Sequence, residues 1–333
     1  MVYLIYYEWS TTKGNHAGMA YLANKLSIDL PDVKAIKMIS SDNHFIAALN
    51  IFYAVFIALW LRIVIKKEDH VFLMEYLARS CFQDILAKTL RFLGCKNELT
   101  GLVHLSGAHL LEIYGKTAVI SKKLKPIDRI VTLGSSLTNF FKTIIGFENV
   151  VTTFHYVEAK YYRPDFNRES NDELKVLCMG ETKRNFSLLQ RLIEDMPDIH
   201  FNICQGSSDF SQYFGKYNNV SLYGFLLEDD LLKLMQMSDV NLSVMEDTIG
   251  SNVIVGGLAT GMVMVVSDVG SIRDYCTENE SYLCKEENDF IKAISEILAN
   301  RDIIAKKRMK SYERSKLFTY ERFREVFHKE LFD

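Results

Sequence analysis

Cysteine and proline are scarce in this sequence, and its charges nearly cancel. Six cysteines occur among 333 residues, scattered and without a Cys-x-x-Cys pair or a nearby histidine cluster. This distribution argues against zinc ligands and a disulfide scaffold, so we expect buried thiols in a reducing compartment. The 39 basic and 42 acidic residues give a net charge of −3. A nucleic-acid-binding protein normally has a basic excess, so we expect no nucleic acid partner.

A recognisable targeting signal is also missing. The opening residues, MVYLIYYEWS, lack the basic start and the small-residue cleavage site of a secretory signal peptide. They suit a first β-strand better, because they are rich in β-branched and aromatic residues. We therefore expect a cytoplasmic protein.

One long apolar run qualifies that expectation. The run from His44 to Ile65 is about long enough to span a bilayer. A spanning helix would separate the first strand from the rest of a domain that needs it. A helix buried in the protein and a helix lying on the membrane surface are the other interpretations, and the residues leave all three open.

Strand-like runs alternate with helix-length segments along the whole chain. Six strand candidates come before a polar segment and six come after it: VYLIYY, VKAIKM, VFLM, LVHL, RIVTL and VVTTF, then LKVLCMG, IHFNICQG, NVSLYGF, VNLSVM, VMVVS and SYLC. Intervening stretches such as SLLQRLIEDM have apolar residues at helical spacing. This alternation predicts an α/β protein in which a parallel sheet covered by helices occurs twice.

The polar segment Tyr161–Lys175 contains Pro164 and has little periodicity, which is typical of a linker. We expect an N-terminal Rossmann-like domain over residues 1–163 and a second Rossmann-like domain over 164–318. The final amphipathic helix, 319–333, can pack back on the first. Ligands bind at the carboxyl ends of parallel strands, so the loops that follow strands are the places to look for a site.

The loop MGETKRN carries residues suited to a phosphate. A strand ends at Gly180, Lys183 and Arg184 follow, and a helix begins near Asn185. Helix N-termini favour anions, and an adjacent cation can hold a diphosphate. A solvated turn with surface charges is the alternative interpretation.

A later loop carries both amides and carboxylates. Gly250, Ser251 and Asn252 precede the helix-like run VIVGGLATG, so their backbone amides can contact an anion or a sugar hydroxyl. Glu246 and Asp247 lie at the end of the preceding strand, where a carboxylate can accept hydrogen bonds from sugar hydroxyls. An ordinary strand-to-helix loop explains the same residues equally well.

Together these motifs resemble glycosyltransferase family 4, whose members are retaining enzymes of the GT-B fold. The stretch SVMEDTIGSNVIVGGLATGMVMVVSDVG is similar to the family signature, from Ser243 to Gly270. The segment VHLSGAH places His104 where the family has a strand-end histidine, and VLCMGETKRN resembles the opening of its second domain. The resemblance implies two facing Rossmann-like domains, with an acceptor-binding N-terminal domain, a nucleotide-sugar-binding C-terminal domain and an interdomain cleft.

Two departures from the family pattern concern carboxylates and cations. Gly256 stands where the family has a second glutamate, which holds the donor ribose. Counting back from the signature places the first glutamate at Thr248, so assigning its role to Glu246 requires a longer loop, and Asp247 is a rival. Glu181 replaces the arginine that usually follows the first glycine of the second domain.

The resemblance implies a metal-independent hexosyltransferase without a cofactor, in which a nucleotide-diphosphate sugar is the co-substrate. No Asp-x-Asp motif is present, which fits this expectation. The implied catalytic residues are His104, Lys183, Arg184 and Glu246, and His16 is the implied acceptor contact. The implied donor contacts are Gly14, Asn15, Gly180, Gln205, Phe225, Asp247, Gly250, Ser251 and Asn252.

The acceptor is expected to be a saccharide. Because residues 44–65 belong to the acceptor domain, we hypothesise a lipid-linked saccharide at the inner face of the membrane, in capsule or O-antigen assembly, with peripheral membrane contact. A sugar-nucleotide epimerase or a phosphorylase-like enzyme would share the fold. A non-catalytic glycosyltransferase-like subunit is a further alternative, suggested by Gly256 and Glu181.

Overall fold

The computed structural model describes residues 1–39, 44–165, 167–168 and 173–331, so part of the predicted linker lies outside the described residues. The chain divides into two compact units. Unit 1 comprises Met1–Phe154 and the C-terminal residues from Phe323, and unit 2 comprises His155–Arg322. Within the described residues each unit has one sheet of six strands, so the predicted α/β class is confirmed. The predicted boundary after residue 163, as the limit of an independently folding domain, stays a prediction.

Unit 1 is built on a parallel sheet. Its strands are Val2–Tyr6 (β1), Val33–Lys37 (β2), His70–Leu73 (β3), Leu99–Val103 (β4), Arg129–Thr132 (β5) and Val150–Thr152 (β6), in the order β2-β1-β3-β4-β5-β6. Its helices are Gly18–Asp29 (α1), His44–Val64 (α2), Gln83–Phe92 (α3), Gly107–Tyr114 (α4), Thr117–Leu124 (α5) and Ser135–Asn139 (α6). Strands β1 and β4 are buried at every position, as expected for parallel strands covered on both faces.

The long apolar run forms α2, and one face of this helix packs into unit 1. Ala54, Ala58 and Leu61 on that face are fully buried. The opposite face is also apolar but exposed, so a single helix carries two apolar faces. Within the described part of the chain, no helix combines the length and the hydropathy needed to cross a bilayer.

Unit 2 is also built on a parallel sheet of six strands. Its strands are Lys175–Met179 (β7), His200–Cys204 (β8), Val220–Tyr223 (β9), Val240–Ser243 (β10), Val263–Ser267 (β11) and Ser281–Cys284 (β12), in the order β12-β11-β10-β7-β8-β9. Its helices are Phe186–Asp195 (α7), Ser211–Phe214 (α8), Glu228–Met237 (α9), Asn252–Ala259 (α10), Ile272–Tyr275 (α11), Glu287–Ala299 (α12) and Asp302–Ser315 (α13). Each strand candidate from the sequence therefore corresponds to a strand.

The C-terminal helix, Tyr320–Leu331 (α14), ends in unit 1. The ring of Phe323 lies 5.8 Å from that of Phe154, and the ring of Phe327 lies 5.6 Å from that of Phe72. Such edge-to-face contacts between aromatic rings stabilise the docking of a helix. The helix therefore contributes aromatic side chains to the core of unit 1.

All six cysteines are free and buried, which confirms the prediction of buried thiols. Burial raises the pKa of the Cys178, Cys204 and Cys276 thiols to about 12. A thiol with such a pKa stays protonated at neutral pH and is a poor nucleophile. These cysteines are therefore part of the packing, and the reducing compartment stays a prediction.

Candidate active site

The predicted donor-binding residues of unit 2 follow the carboxyl ends of neighbouring strands. Gly180 follows β7, Gln205 follows β8, and Phe225 lies beyond the end of β9 with 53% of its surface exposed. The hydroxyl of Ser208 donates a hydrogen bond to Glu181, which links the first two of these loops. The ends of parallel strands form one edge of a sheet, and this edge gathers the loops that the sequence singled out.

The loop after β7 lies along the end of β10. Arg184 forms an isolated antiparallel bridge with Met245, and the backbone N–H of Glu246 donates to the carbonyl oxygen of Lys183 at 2.9 Å. Lys183 adopts a left-handed conformation with φ +55°. The side chain of Asn185 then accepts a hydrogen bond from the first turn of α7 at 2.9 Å. Backbone pairing and a helix cap therefore hold the two predicted cations in place.

Arg184 turns inward and packs on Gly180. A β-carbon at Gly180, where φ is +81°, would lie 2.8 Å from Nη2 of Arg184. Part of the arginine remains accessible, but its Nε and Nη1 atoms are buried and have no hydrogen-bond partner among the described residues. Burial lowers the pKa of Arg184 to about 10, which leaves it protonated at neutral pH. A buried cation with unsatisfied N–H groups is costly, so the site lacks an acceptor.

The first turn of α10 lies beside this arginine. The Cγ2 atom of Val253 would be 3.3 Å from a β-carbon at Gly180, on the same side as the guanidinium. Ser251 caps the helix, with its hydroxyl accepting from the N–H of Ile254 at 3.4 Å. A helix N-terminus presents backbone N–H groups and a partial positive charge. Arg184 and α10 therefore offer two kinds of donor to one anion.

A tyrosine that the sequence analysis missed holds the loop before α10. Gly250 has φ +90°, and a β-carbon there would lie 2.2 Å from Cζ of Tyr275. The Tyr275 hydroxyl donates to the carbonyl oxygen of Ile249 at 3.3 Å and accepts from the N–H of His155 at 2.8 Å. The only sequence signal for this role of Tyr275 is that it is the single aromatic residue in the segment SIRDYC. Gly250 is thus required by shape as well as by backbone conformation.

The carboxylates of the same loop differ in their surroundings. Glu246 is exposed, whereas Asp247 accepts a hydrogen bond from the N–H of Thr248 at 2.8 Å. The Thr248 hydroxyl accepts from the N–H of Gly250 at 3.1 Å, so this side chain serves the loop itself. Neither observation decides between Glu246 and Asp247, and their roles stay predictions.

The position of the missing second glutamate is closed by packing. A β-carbon at Gly256 would lie 3.1 Å from Cε of Met235 and 4.0 Å from Cδ1 of Tyr162. The Tyr162 hydroxyl in turn donates to a carboxylate oxygen of Glu228 at 2.8 Å. The sequence analysis did not single out Glu228, which begins α9 within an acidic run that is also typical of an ordinary helix start.

The loop after β1 in unit 1 carries three predicted residues. Gly14 is exposed in open space with φ +82°, and the N–H of Asn15 donates to the carbonyl oxygen of Thr12 at 3.1 Å. The ring of His16 lies 5.3 Å from that of Tyr21 on α1. The loop is a closed turn that leads into α1, and its ligand contacts stay predictions.

His104 directly follows β4 and meets a buried carboxyl group. Its Nε2 lies 3.0 Å from Oε2 of Glu75, although the two atoms fall short of a well-directed hydrogen bond. Only 1% of the Glu75 side chain is exposed, against 24% of His104. Burial raises the pKa of Glu75 to about 8, and a hydrogen bond with the Trp9 side chain opposes this rise. The sequence analysis missed Glu75, whose only signal is an acid inside the apolar run VFLMEYL.

No group of three or more His, Cys, Asp or Glu side chains within the described residues is arranged to hold a metal ion. The expected metal independence stays a prediction.

The sequence of unit 2 matches a known family over most of its length. Residues 173–300 match the family model described as Glycosyl transferases group 1. This part of unit 2 is therefore similar to group 1 glycosyltransferases. The resemblance read from the sequence is confirmed at this level. No curated protein matches the sequence.

Solved structures share the architecture of the whole chain. Sucrose-phosphate synthase from Thermosynechococcus elongatus has a TM-score of 0.76 at 11% identity, covering 99% of this chain and 98% of its own. The structure described as trehalose-6-phosphate from E. coli bound with UDP-2-fluoro glucose has a TM-score of 0.75 at 10% identity, covering 100% and 99%. The lipopolysaccharide outer core galactosyltransferase WaaB in its apo form has a TM-score of 0.67 at 14% identity, covering 100% and 99%. The chain has the GT-B fold, as the group 1 resemblance predicted.

Proposed function

We propose that the protein transfers a hexose, with retention of configuration, from a nucleotide-diphosphate sugar to a saccharide acceptor. The observation that carries the proposal is the Arg184 guanidinium, which packs against Gly180 and the first turn of α10 and has two buried nitrogens without a partner among the described residues. A diphosphate supplies several charged oxygens, and guanidinium groups bind such oxygens in a directed way. An occupied site would satisfy N–H groups that are otherwise costly to bury.

In the proposed reaction, Arg184 and the N–H groups at the start of α10 stabilise the leaving nucleoside diphosphate. Negative charge grows on the phosphate as the bond to the sugar breaks, and fixed cations and amides stabilise that charge most when they are already in place. Arg184 is held by backbone pairing, and the N–H groups at the start of α10 are held by the Ser251 cap. Losing such a donor typically costs about 3 to 4 kcal/mol of transition-state stabilisation. Lys183 is partly exposed beside Arg184 and completes the positive charge of the loop.

The exposed face of α2 supports a lipid-linked acceptor. Phe52, Phe56 and Ile63 are 74%, 61% and 83% exposed, and their spacing places them on one side of the helix. This side is opposite to the buried face, and all three of these residues are apolar. Large exposed apolar patches mark contact with a protein or a membrane. We propose that this face rests on the membrane that carries the acceptor, as part of surface polysaccharide assembly at the inner leaflet.

Charges at the end of α2 favour a membrane over a protein. Arg62, Lys66 and Lys67 are exposed near the C-terminal end of the apolar face, and Glu68 is the exposed acid that follows them. Clustered basic residues beside an apolar helix face are attracted to anionic lipids. The occupant we propose is therefore an anionic lipid surface.

The experiment is a screen of sugar nucleotides that measures release of the nucleoside diphosphate, with mono- and oligosaccharide acceptors. We expect one donor to be consumed, and the double variant Lys183→Ala/Arg184→Ala to lose this turnover while remaining folded. The matched control is Arg191→Ala/Lys216→Ala, because these cations of unit 2 are exposed and form ion pairs with Glu287 and Glu194. Near-normal turnover in the first double variant would refute the assignment of the diphosphate site.

A second candidate function is a non-catalytic glycosyltransferase-like subunit. It is favoured by the packing of Met235 against Gly256, the position where the family has its second glutamate. Thermal unfolding with UDP, GDP and their sugars separates the two, because a ligand that binds only the folded state raises its stability. Stabilisation by one of these nucleotides supports the enzyme, and no response to any of them supports the subunit.

A further inference from the structure

Three strand ends in unit 1 bring Trp9, Glu75 and His104 together. The strands β1, β3 and β4 are neighbours in the sheet and run parallel, so the residues that follow them share one edge. Trp9 follows β1, Glu75 follows β3 by two residues, and His104 comes directly after β4. The topology thus places a buried carboxyl group behind the histidine that the sequence analysis selected.

The backbone at Glu75 is anchored independently of the histidine. Its N–H donates to Oε1 of Gln83 at 2.9 Å, and Nε2 of Gln83 donates to the carbonyl oxygen of Ile5 at 3.0 Å. These buried hydrogen bonds join α3 to β1 and hold the start of the Glu75 side chain in place. The carboxyl group is closed off from solvent, whereas His104 keeps 24% of its side chain exposed. The buried Glu75 carboxyl group therefore lies against the partly exposed His104 ring.

We propose that Glu75 is a positioning residue for the transfer reaction: its carboxyl group orients the His104 imidazole and shares one exchangeable proton with it. The inference rests on the proposed function, with His104 taken as one of the catalytic residues that the family resemblance implies. Glu75 itself does not reach the substrate, because its side chain is buried behind the ring.

The sharing of a proton follows from burial and distance. A neutral acid beside a neutral imidazole and a carboxylate beside an imidazolium hold the same single proton and the same net charge. Groups 3.0 Å apart titrate as a pair, with apparent pKa values that belong to both. The Cys81 thiol also faces Glu75, and burial and the glutamate raise its pKa well above its usual range. Cys81 therefore stays neutral, and the proton belongs to the Glu75–His104 pair.

The kinetic test replaces the carboxyl group without changing its shape. We expect Glu75→Gln to lower kcat by about 10- to 100-fold while KM for the donor changes little, as happens when a supporting group is lost. We also expect the alkaline limb of the pH–rate profile to move to lower pH, because without the neighbouring carboxylate the His104 ring loses its proton more easily. In a His104→Asn background the same change should have no further effect on kcat. Glu280→Gln, a buried glutamate of unit 2, is the matched control and should keep the wild-type profile.

A second measurement does not depend on activity. NMR of ring-labelled histidine in the full chain, with the His104 signal assigned from His104→Asn, follows the titration of this ring between pH 5 and 9. We expect Glu75→Gln to shift the His104 midpoint by more than about one pH unit, as removal of a charge at this distance does. An unchanged midpoint, or additive effects of the two substitutions on kcat, would overturn the proposal. If no donor is consumed the proposed function fails, and the ring titration still decides whether Glu75 and His104 share a proton.

Discussion

Arg184 and Gly180 fit together only because Gly180 has no side chain: a β-carbon there would lie 2.8 Å from Nη2 of the guanidinium. The glycine also has φ +81°, a conformation that residues with side chains rarely adopt. The close approach leaves the Nε and Nη1 atoms of the arginine buried near the end of β7, without partners among the described residues. A protein retains such a costly arrangement when something else, here the binding of an anion, depends on it.

The first prediction concerns Arg184→Met, which keeps an unbranched apolar stem and removes the charged guanidinium. We expect the free protein to be as stable as wild type or more stable by about 1 kcal/mol, because burying an unpaired cation is unfavourable. Stabilisation by UDP or GDP should disappear. Thermal unfolding with and without nucleotide measures both effects, and Arg191→Met is the control on the exposed side of α7. A large loss of stability without nucleotide would mean that Arg184 is structural.

The second prediction compares Gly250, in the loop before α10, with Gly256, inside α10. Gly250→Ala should destabilise the fold by more than about 3 kcal/mol, because its β-carbon would overlap the ring of Tyr275 and its backbone is left-handed. Gly256→Ala should change stability by less than about 1 kcal/mol, since helix propensity improves and only the flexible end of Met235 must move. Urea unfolding of the two variants tests this order. Equal effects would contradict the packing described around α10.

The third prediction is a pH dependence of stability. The pKa of Glu75 is raised from 4.5 to about 8 by burial, so its contribution to stability is full below pH 4.5 and is lost as the pH rises toward 8. Glu75→Gln should therefore gain stability relative to wild type across this window, by up to a few kcal/mol, with the difference smallest at the acid end. Protonation of His104 offsets part of the loss by pairing with the carboxylate. Urea midpoints at pH 5, 6, 7 and 8 check the trend, and parallel curves for the two proteins would refute it.

The sequence predicted the inner strands of both sheets well because they are buried on both faces. A run such as VMVVS must be β-branched and apolar when helices cover both sides of a parallel sheet, so local composition alone identifies it. The glycine turns at the strand ends were predicted for a similar reason, since few other residues adopt their conformations. These features depend on neighbours along the chain.

Other features depend on distant parts of the chain, and the sequence did not predict them. Lys183 and Arg184 are adjacent and carry the same charge, and only the bridge to Met245 decides which one turns inward. Glu75 meets His104 because β3 and β4 pair in a particular register, which composition does not specify. The filled space at Gly256 likewise depends on α9 and Tyr162. Tertiary packing, rather than local preference, places the charges of the candidate site.

The last prediction tests the exposed face of α2. Replacing Phe52 and Phe56 by Gln should abolish binding to vesicles that contain anionic lipids, because each exposed aromatic ring that enters the lipid contributes on the order of 2 kcal/mol. The free protein should keep its stability, since both rings already face water.

Lys66→Gln/Lys67→Gln should weaken binding to anionic vesicles and leave any binding to neutral vesicles unchanged. Flotation of the full chain with vesicles of each composition measures this, and wild-type protein that stays unbound to anionic vesicles would remove the membrane from the proposal. Turnover with a soluble saccharide acceptor should be the same in both double variants as in wild type, because neither lies in the proposed diphosphate site.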